Sequence, residues 1–105
     1  MEIEFRRIFL KNIKKIIINN GCIPTPRAKN VDFMRKYFLD DKDLREIILD
    51  LSPSDCIGGP EPDRDGYPGH ILKFKSSYLD EVIIYIKIRY NPPEQVIIIS
   101  FHEDE

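Results

Sequence analysis

From His70 onward apolar residues recur at every second position, whereas before it they recur at every third or fourth. This change of period divides the chain into a helical first part and a stranded second part. A period of two sends alternate side chains to opposite faces of a sheet. We expect strands at 70–75, 81–90 and 95–102, with Asn91-Pro92-Pro93-Glu94 as the turn between the last two. Pairing that hairpin about its turn sets residue 90 near 95, 85 near 100, 87 near 98 and 83 near 102. One face then gathers Leu72, Phe74, Ile84, Ile86, Ile88, Ile97, Ile99 and Phe101. The other gathers Lys73, Lys75, Tyr85, Lys87, Arg89, Ser100 and His102. A one-residue slip would exchange the faces of a strand, so these assignments depend on the register.

Upstream, residues 4 to 20 read as a helix, with Phe5, Phe9, Ile13, Ile16, Ile17 and Asn20 at steps of three and four. Arg6, Arg7, Lys11, Lys14 and Lys15 fall largely on its other side, and Gly21 stands at the C-terminal cap. Pro24 and Pro26 prevent continuation. Asn30 is expected to cap a short helix over 31–38 that buries Met34, Tyr37 and Phe38. Asp40 or Asp41 caps a third helix carrying a stripe of Leu44, Ile47, Ile48 and Leu51. Ser52-Pro53-Ser54-Asp55 adds a further capped turn. Residues 58–69, rich in Gly and Pro, read as a long loop. Helices first and strands last predict an α+β fold, its antiparallel sheet of about three strands covered on one face by helices. At 105 residues the chain is expected to be one domain.

Composition narrows the function classes. No apolar run approaches the ~20 residues of a membrane helix. The first residues lack a basic segment followed by an apolar one, so neither an export signal nor a membrane partner is expected and the compartment is read as cytoplasmic. Cys22 and Cys56 are then expected to be free thiols. The two His and two Cys match no zinc-ligand spacing, so neither a metal nor another cofactor is expected. A calcium-loop pattern laid on Glu61, Asp63, Asp65 and Gly66 puts Leu72 where the closing glutamate belongs. The formal charge of −2 argues against a protein that coats nucleic acid through bulk charge. It leaves room for one locally basic face, and the outer sheet face is such a surface, almost without carboxylates although the chain has 18.

A half-exposed sheet has a polar outer face in any case. This one adds an imidazole and a phenol to its cations, the groups that cleavage of RNA by its own 2′-hydroxyl requires. The reaction needs a base for the 2′-hydroxyl proton, an acid for the leaving 5′-oxygen and cations for the crowded phosphate. Histidine suits the proton transfers, and lysine and arginine the charge. Tyrosine can hydrogen-bond phosphate or stack on an unpaired base. On this reading His102 is the acid or base, Lys87 and Lys73 hold the scissile phosphate, and Tyr85 positions it or assists proton transfer. Arg89 and Lys75 steer the RNA backbone. His70, at the start of a strand beside the loop, reads as structural.

Taken in chain order, Ile13–Gly21, Pro24–Ala28, Ile47–Asp55, Tyr85–Ile88 and Val96–His102 resemble segments of the MqsR (motility quorum-sensing regulator) toxins of toxin–antitoxin systems. Ile47 to Asp55 is similar to that family's apolar helix ending in Leu-Ser-x-Ser-Asp. Tyr85-Ile86-Lys87-Ile88 resembles its Tyr-Leu-Lys-Ile strand. Val96-Ile97-Ile98-Ile99-Ser100-Phe101-His102 resembles its closing Val-Leu-Ile-Val-Ser-Phe-Lys. Ile13-Lys14-Lys15 through Asn20-Gly21, then Pro24-Thr25-Pro26-Arg27-Ala28, fit its first helix and the connection after it. The resemblance implies a RelE-like ribonuclease fold and an endoribonuclease acting on single-stranded mRNA. It also implies silencing by a cognate antitoxin protein, with zinc and DNA binding as candidate properties of that partner. Tyr85 matches the family's functional tyrosine. His102 stands where a functional lysine follows Ser-Phe, and Lys73 falls near a functional glutamine. The lysine expected just after Leu-Ser-x-Ser-Asp is replaced by Ile57-Gly58-Gly59, leaving Arg64 as the nearest cation of the loop and a candidate RNA contact. The alternative is a catalytically inactive toxin-like module that binds an antitoxin or RNA.

Overall fold

In the computed structural model, which describes residues 3–104, the chain forms an α+β fold of three α-helices and a five-stranded mixed sheet. The elements are α1 (Ile3–Asn20), β1 (Ile23–Pro24), α2 (Ala28–Lys36), α3 (Asp41–Leu49), a 3-10 turn at Pro53–Asp55, β2 (Cys56–Pro62), β3 (His70–Ser76), β4 (Ile84–Asn91) and β5 (Gln95–Glu103). The sheet order is β1-β5-β4-β3-β2. The broad α+β class is as expected, but one short strand, β1, lies between α1 and α2. The expected sheet of three antiparallel strands gains an edge on each side. β2 pairs antiparallel with β3, and the two-residue β1 pairs parallel with β5. β2 was legible only as loop because its glycines and prolines hide a strand that shifts register twice against β3.

The helices cover one face of the sheet. Leu10, Ile13, Ile16 and Ile17 of α1 and Leu44, Ile47 and Ile48 of α3 close over Leu72, Phe74, Ile84, Ile86 and Ile88. Gly21 ends α1 with φ +79, its N–H donating to Ile17 O. Lys14 of α1 donates to the Leu51 carbonyl just past α3. Asp40 starts α3 with a reciprocal cap: its carboxylate accepts from Asp43 N–H and its own N–H donates to the Asp43 carboxylate. Arg6 donates to Cys56 O and Gly59 O, which fastens α1 to the irregular edge strand. No helix among the described residues is long and apolar enough to cross a membrane.

The hairpin register differs from the expected one in two ways that cancel where the site lies. The turn holds three residues rather than four, so Asn91 pairs with Gln95 and Tyr90 with Val96. That slip turns Val96 and Ile98, not Ile97 and Ile99, toward the helices. A β-bulge follows: Ile88 pairs with Ile98 but Lys87 with Ser100, leaving Ile99 as the extra residue. The second slip restores the expected faces from Ser100 on. Phe101 is buried, and His102 pairs directly with Tyr85. The middle strand starts at Ile84 rather than 81, and Ile83 lies before it with its carbonyl accepting from Asp104 N–H.

Asn30 stabilises this bulge. It does not cap α2, which begins two residues earlier. It is a buried side chain aimed at the outer edge of β5. Its Nδ2 donates to Ile99 O and Thr25 O, each at 3.0 Å, and its Oδ1 accepts from Phe101 N at 3.0 Å. One turn later Phe33 meets Phe101 edge-to-face at 5.8 Å. Phe38, expected on the buried side of α2, is 93% exposed, because it takes a left-handed φ of 56 in the turn that ends the helix.

Replacing Asn30 with alanine strands the Phe101 N–H and the Ile99 carbonyl at a buried position. Unmet buried polar groups cost roughly 1–3 kcal/mol each, so Asn30→Ala is expected to lose about 3 kcal/mol in urea unfolding. The exposed Asn19→Ala is expected to stay within about 0.5 kcal/mol of the parent.

Candidate functional site

Across the uncovered face the register sets out two rows. Ser100, Lys87 and Lys73 are successive cross-strand partners on β5, β4 and β3, and so are His102, Tyr85 and Lys75. The His102 and Tyr85 rings lie 5.6 Å apart, tilted by 39°. His102 Nδ1 is 2.9 Å from Glu103 O. A carbonyl only accepts, so this contact places the proton of a neutral imidazole on Nδ1 and leaves the Nε2 lone pair free to take one.

Two cations missed in the sequence join this site from the α2 side. Arg27 Nη1 is 3.5 Å from Ser100 Oγ, and Lys29 lines a shallow pocket of about 180 Å³ with Tyr85, His102 and Asp104. The bonds of Asn30 to β5 bring both there. A two-residue parallel strand leaves no periodicity in a sequence, so nothing marked residues 23–29 as neighbours of the C-terminal strand.

The expectation that this face is nearly free of carboxylates fails. The outer end of β2, the segment after it and the C-terminal end of the chain bring acids to this face. Glu61 reaches Lys73 at 3.0 Å, Asp63 reaches Arg89 at 3.3 Å, and Asp104 reaches Lys75 at 3.1 Å. Tyr67 lies against the Arg89 guanidinium, 4.6 Å from ring centroid to Cζ. Lys87 forms no ion pair among the described residues. Arg64, exposed on the covering segment, borders an open groove of about 510 Å³ with Glu61, Asp63, Lys73 and Lys87. The structure therefore groups Tyr85, His102 and Lys87 as an accessible set. It places Lys73, Lys75 and Arg89 on the same face with acidic partners, and leaves Arg64 at the rim.

The remaining titratable groups play other parts. His70 packs edge-on against Phe9, 5.1 Å between centroids. Cys22 and Cys56 are free thiols, and burial pushes the Cys22 thiol up, away from the reactive thiolate. Among the described residues no three of His, Cys, Asp and Glu converge as a metal-binding group. Comparison of the chain with protein-family models, curated proteins and solved structures finds no match.

The hydrogen bond from Lys73, and then its charge, hold the Glu61 carboxyl below the usual glutamate range. Asp63 is also lowered, first by the N–H of Asp65 and then by Arg89. A depressed folded value stabilises the fold above the unfolded carboxylate pKa, roughly 4. That contribution fades as pH falls through the folded value. In an NMR titration Glu61 is expected to ionise below a free glutamate and to return toward it in Lys73→Gln. Asp63 should return only part of the way in Arg89→Gln, since the Asp65 amide remains.

Proposed function

We propose that this chain is an endoribonuclease that cleaves single-stranded RNA by 2′-hydroxyl attack, in the manner of the MqsR-type, RelE-like mRNA toxins it resembles. The observation that carries the reading is the direct pairing of His102 with Tyr85 on a cationic sheet face, with Nε2 as the open nitrogen. In this scheme His102 Nε2 takes the 2′-hydroxyl proton as O2′ forms a bond to phosphorus. The bond from phosphorus to O5′ breaks, the Tyr85 hydroxyl protonates O5′, and the proton held by His102 passes back to the Tyr85 phenolate through solvent, which restores both groups. The products are a 2′,3′-cyclic phosphate and a 5′-hydroxyl. Lys87, with Lys29 beside the pair and Arg27 beside Ser100, balances the phosphorane charge. None of these steps calls on a metal or cofactor. A cytoplasmic location and neutralisation by a cognate antitoxin belong to the same proposal.

The ion pairs on Lys73, Lys75 and Arg89 favour a second reading, an inactive toxin-like module that binds a partner through this face.

Incubating the purified protein with defined single-stranded RNAs in EDTA separates the two. Endonucleolytic products with cyclic phosphate ends are expected. His102→Ala should reduce the rate by about 10²–10⁴-fold, the usual worth of positioned proton transfer. Tyr85→Phe, which removes the acid of the same scheme, should also cost about 10²–10⁴-fold. Equal cleavage by the parent and both variants defeats the site assignment. No cleavage by folded parent protein across varied RNAs favours the binding module.

A further inference from the structure

Lys73 and Lys87 face each other as direct partners of β3 and β4, on the same side of the sheet. Like charges directly opposite across an antiparallel pair repel, so this arrangement calls for an anion. Glu61 supplies one. Its carboxylate is 3.0 Å from Lys73 Nζ, and the charges of Lys87 and Arg64 also favour its ionised form. These groups together line the groove of about 510 Å³.

Glu61 lies at the outer end of β2, its backbone paired with Ile71, where the strand leads into a flap whose side-chain fasteners are mainly charged. At the root, Gly59 has φ +82, and a Cβ there would collide with the Ile71 carbonyl. Beneath the flap Ile71 is 3% exposed although it belongs to no part of the helix-covered core. Glu61–Lys73 closes the end of the strand, and beyond it the fasteners are the Asp63–Arg89 ion pair and the Tyr67 ring on Arg89. The Glu61 side chain keeps 46% of its surface exposed, so a change of rotamer alone can free Lys73.

We infer that Lys73, Lys87 and Arg64 form a phosphodiester-binding site that the Glu61 carboxylate occupies in the free chain, so that this side chain competes with the RNA backbone for the groove. A carboxylate and a phosphodiester each carry one negative charge, so the exchange leaves the local charge balance unchanged. Only the identity of the anion as RNA rests on the ribonuclease reading.

The probe is a fluorescein-labelled single-stranded 2′-O-methyl oligoribonucleotide, which binds but cannot be cut, read by anisotropy against KCl concentration. Glu61→Gln is isosteric and sits at the surface, so it should fold. It is expected to tighten binding about fivefold at low salt, the worth of one close charge in a water-like dielectric. Glu46→Gln on α3, across the sheet, removes the same charge and should change affinity less than twofold. The gain should vanish in the Glu61→Gln/Lys73→Gln double variant. Equal effects of Glu61→Gln and Glu46→Gln, a gain that survives in the double variant, or no binding by any protein each overturn the inference. Tighter binding without cleavage of ordinary RNA sinks the nuclease reading and leaves this site standing. Cleavage by the parent with no gain in Glu61→Gln does the reverse.

Discussion

The carboxamide of Asn30 is the contact on which the arrangement of the site depends. A β-bulge leaves backbone groups without ladder partners, and on the outer side of β5 the short β1 and the Thr25 N–H reach Ile97 and Ile98 but not the bulge. An amide side chain offers donor and acceptor together, so a single residue satisfies the Ile99 carbonyl and the Phe101 N–H. The same bonds fix where α2 lies. With Asn30 tied to Ile99 and Phe101, Phe33 falls on Phe101 in the core and Lys29 beside His102 and Tyr85 on the other face. One buried polar group thereby couples the bulge, the helix and the candidate site.

Charge explains how an acidic chain carries a cationic sheet. The cations of β3 and β4 are not a field left open to solvent. Carboxylates from the β2 segment and the C-terminal end meet Lys73, Arg89 and Lys75 in turn. The Lys73 and Lys75 pairs, at partly exposed positions, stabilise the fold little, whereas Asp63–Arg89 is largely covered. Their effect is on what the face attracts, since a matched cation draws a distant polyanion weakly and rewards only an anion that can replace its partner at close range. Lys87, flanked by Ser100 and Lys73 and without an ion pair among the described residues, marks where such an anion would first settle.

Residues with a strong local period were legible in the sequence, and residues placed by long-range pairing were not. The stripe of Leu44, Ile47 and Ile48, the Asp40 cap and the alternation of Ile84, Ile86 and Ile88 each follow from neighbours three, four or two positions away, and each stands as expected. β1 and β2 escaped because one has two residues and the other is broken by Gly58, Gly59 and Pro60. Asn30 looked like a cap because asparagine commonly is one. Its partners on β5 lie about seventy positions away, at Ile99 and Phe101. The face of Tyr85 and His102 was read correctly from a register wrong by two residues, because faces repeat every second residue. The faces of Ile97 and Ile99, wrong by one residue, came out inverted.

That parity bears on what the bulge is for. Without it, β5 would continue the alternation set by Val96 and Ile98, so that Ser100 and His102 would turn inward and Phe101 outward. An imidazole would enter the core and a phenylalanine would lie in water, both costly. The strand carries an apolar run from Val96 to Ile99 followed by Ser-Phe-His, and the two stretches fit the two faces only if one residue is skipped. Ile99 is that residue, and its unpaired carbonyl is the one Asn30 takes up. The bulge thus sets His102 across from Tyr85 and, through Asn30, brings Lys29 to the same place.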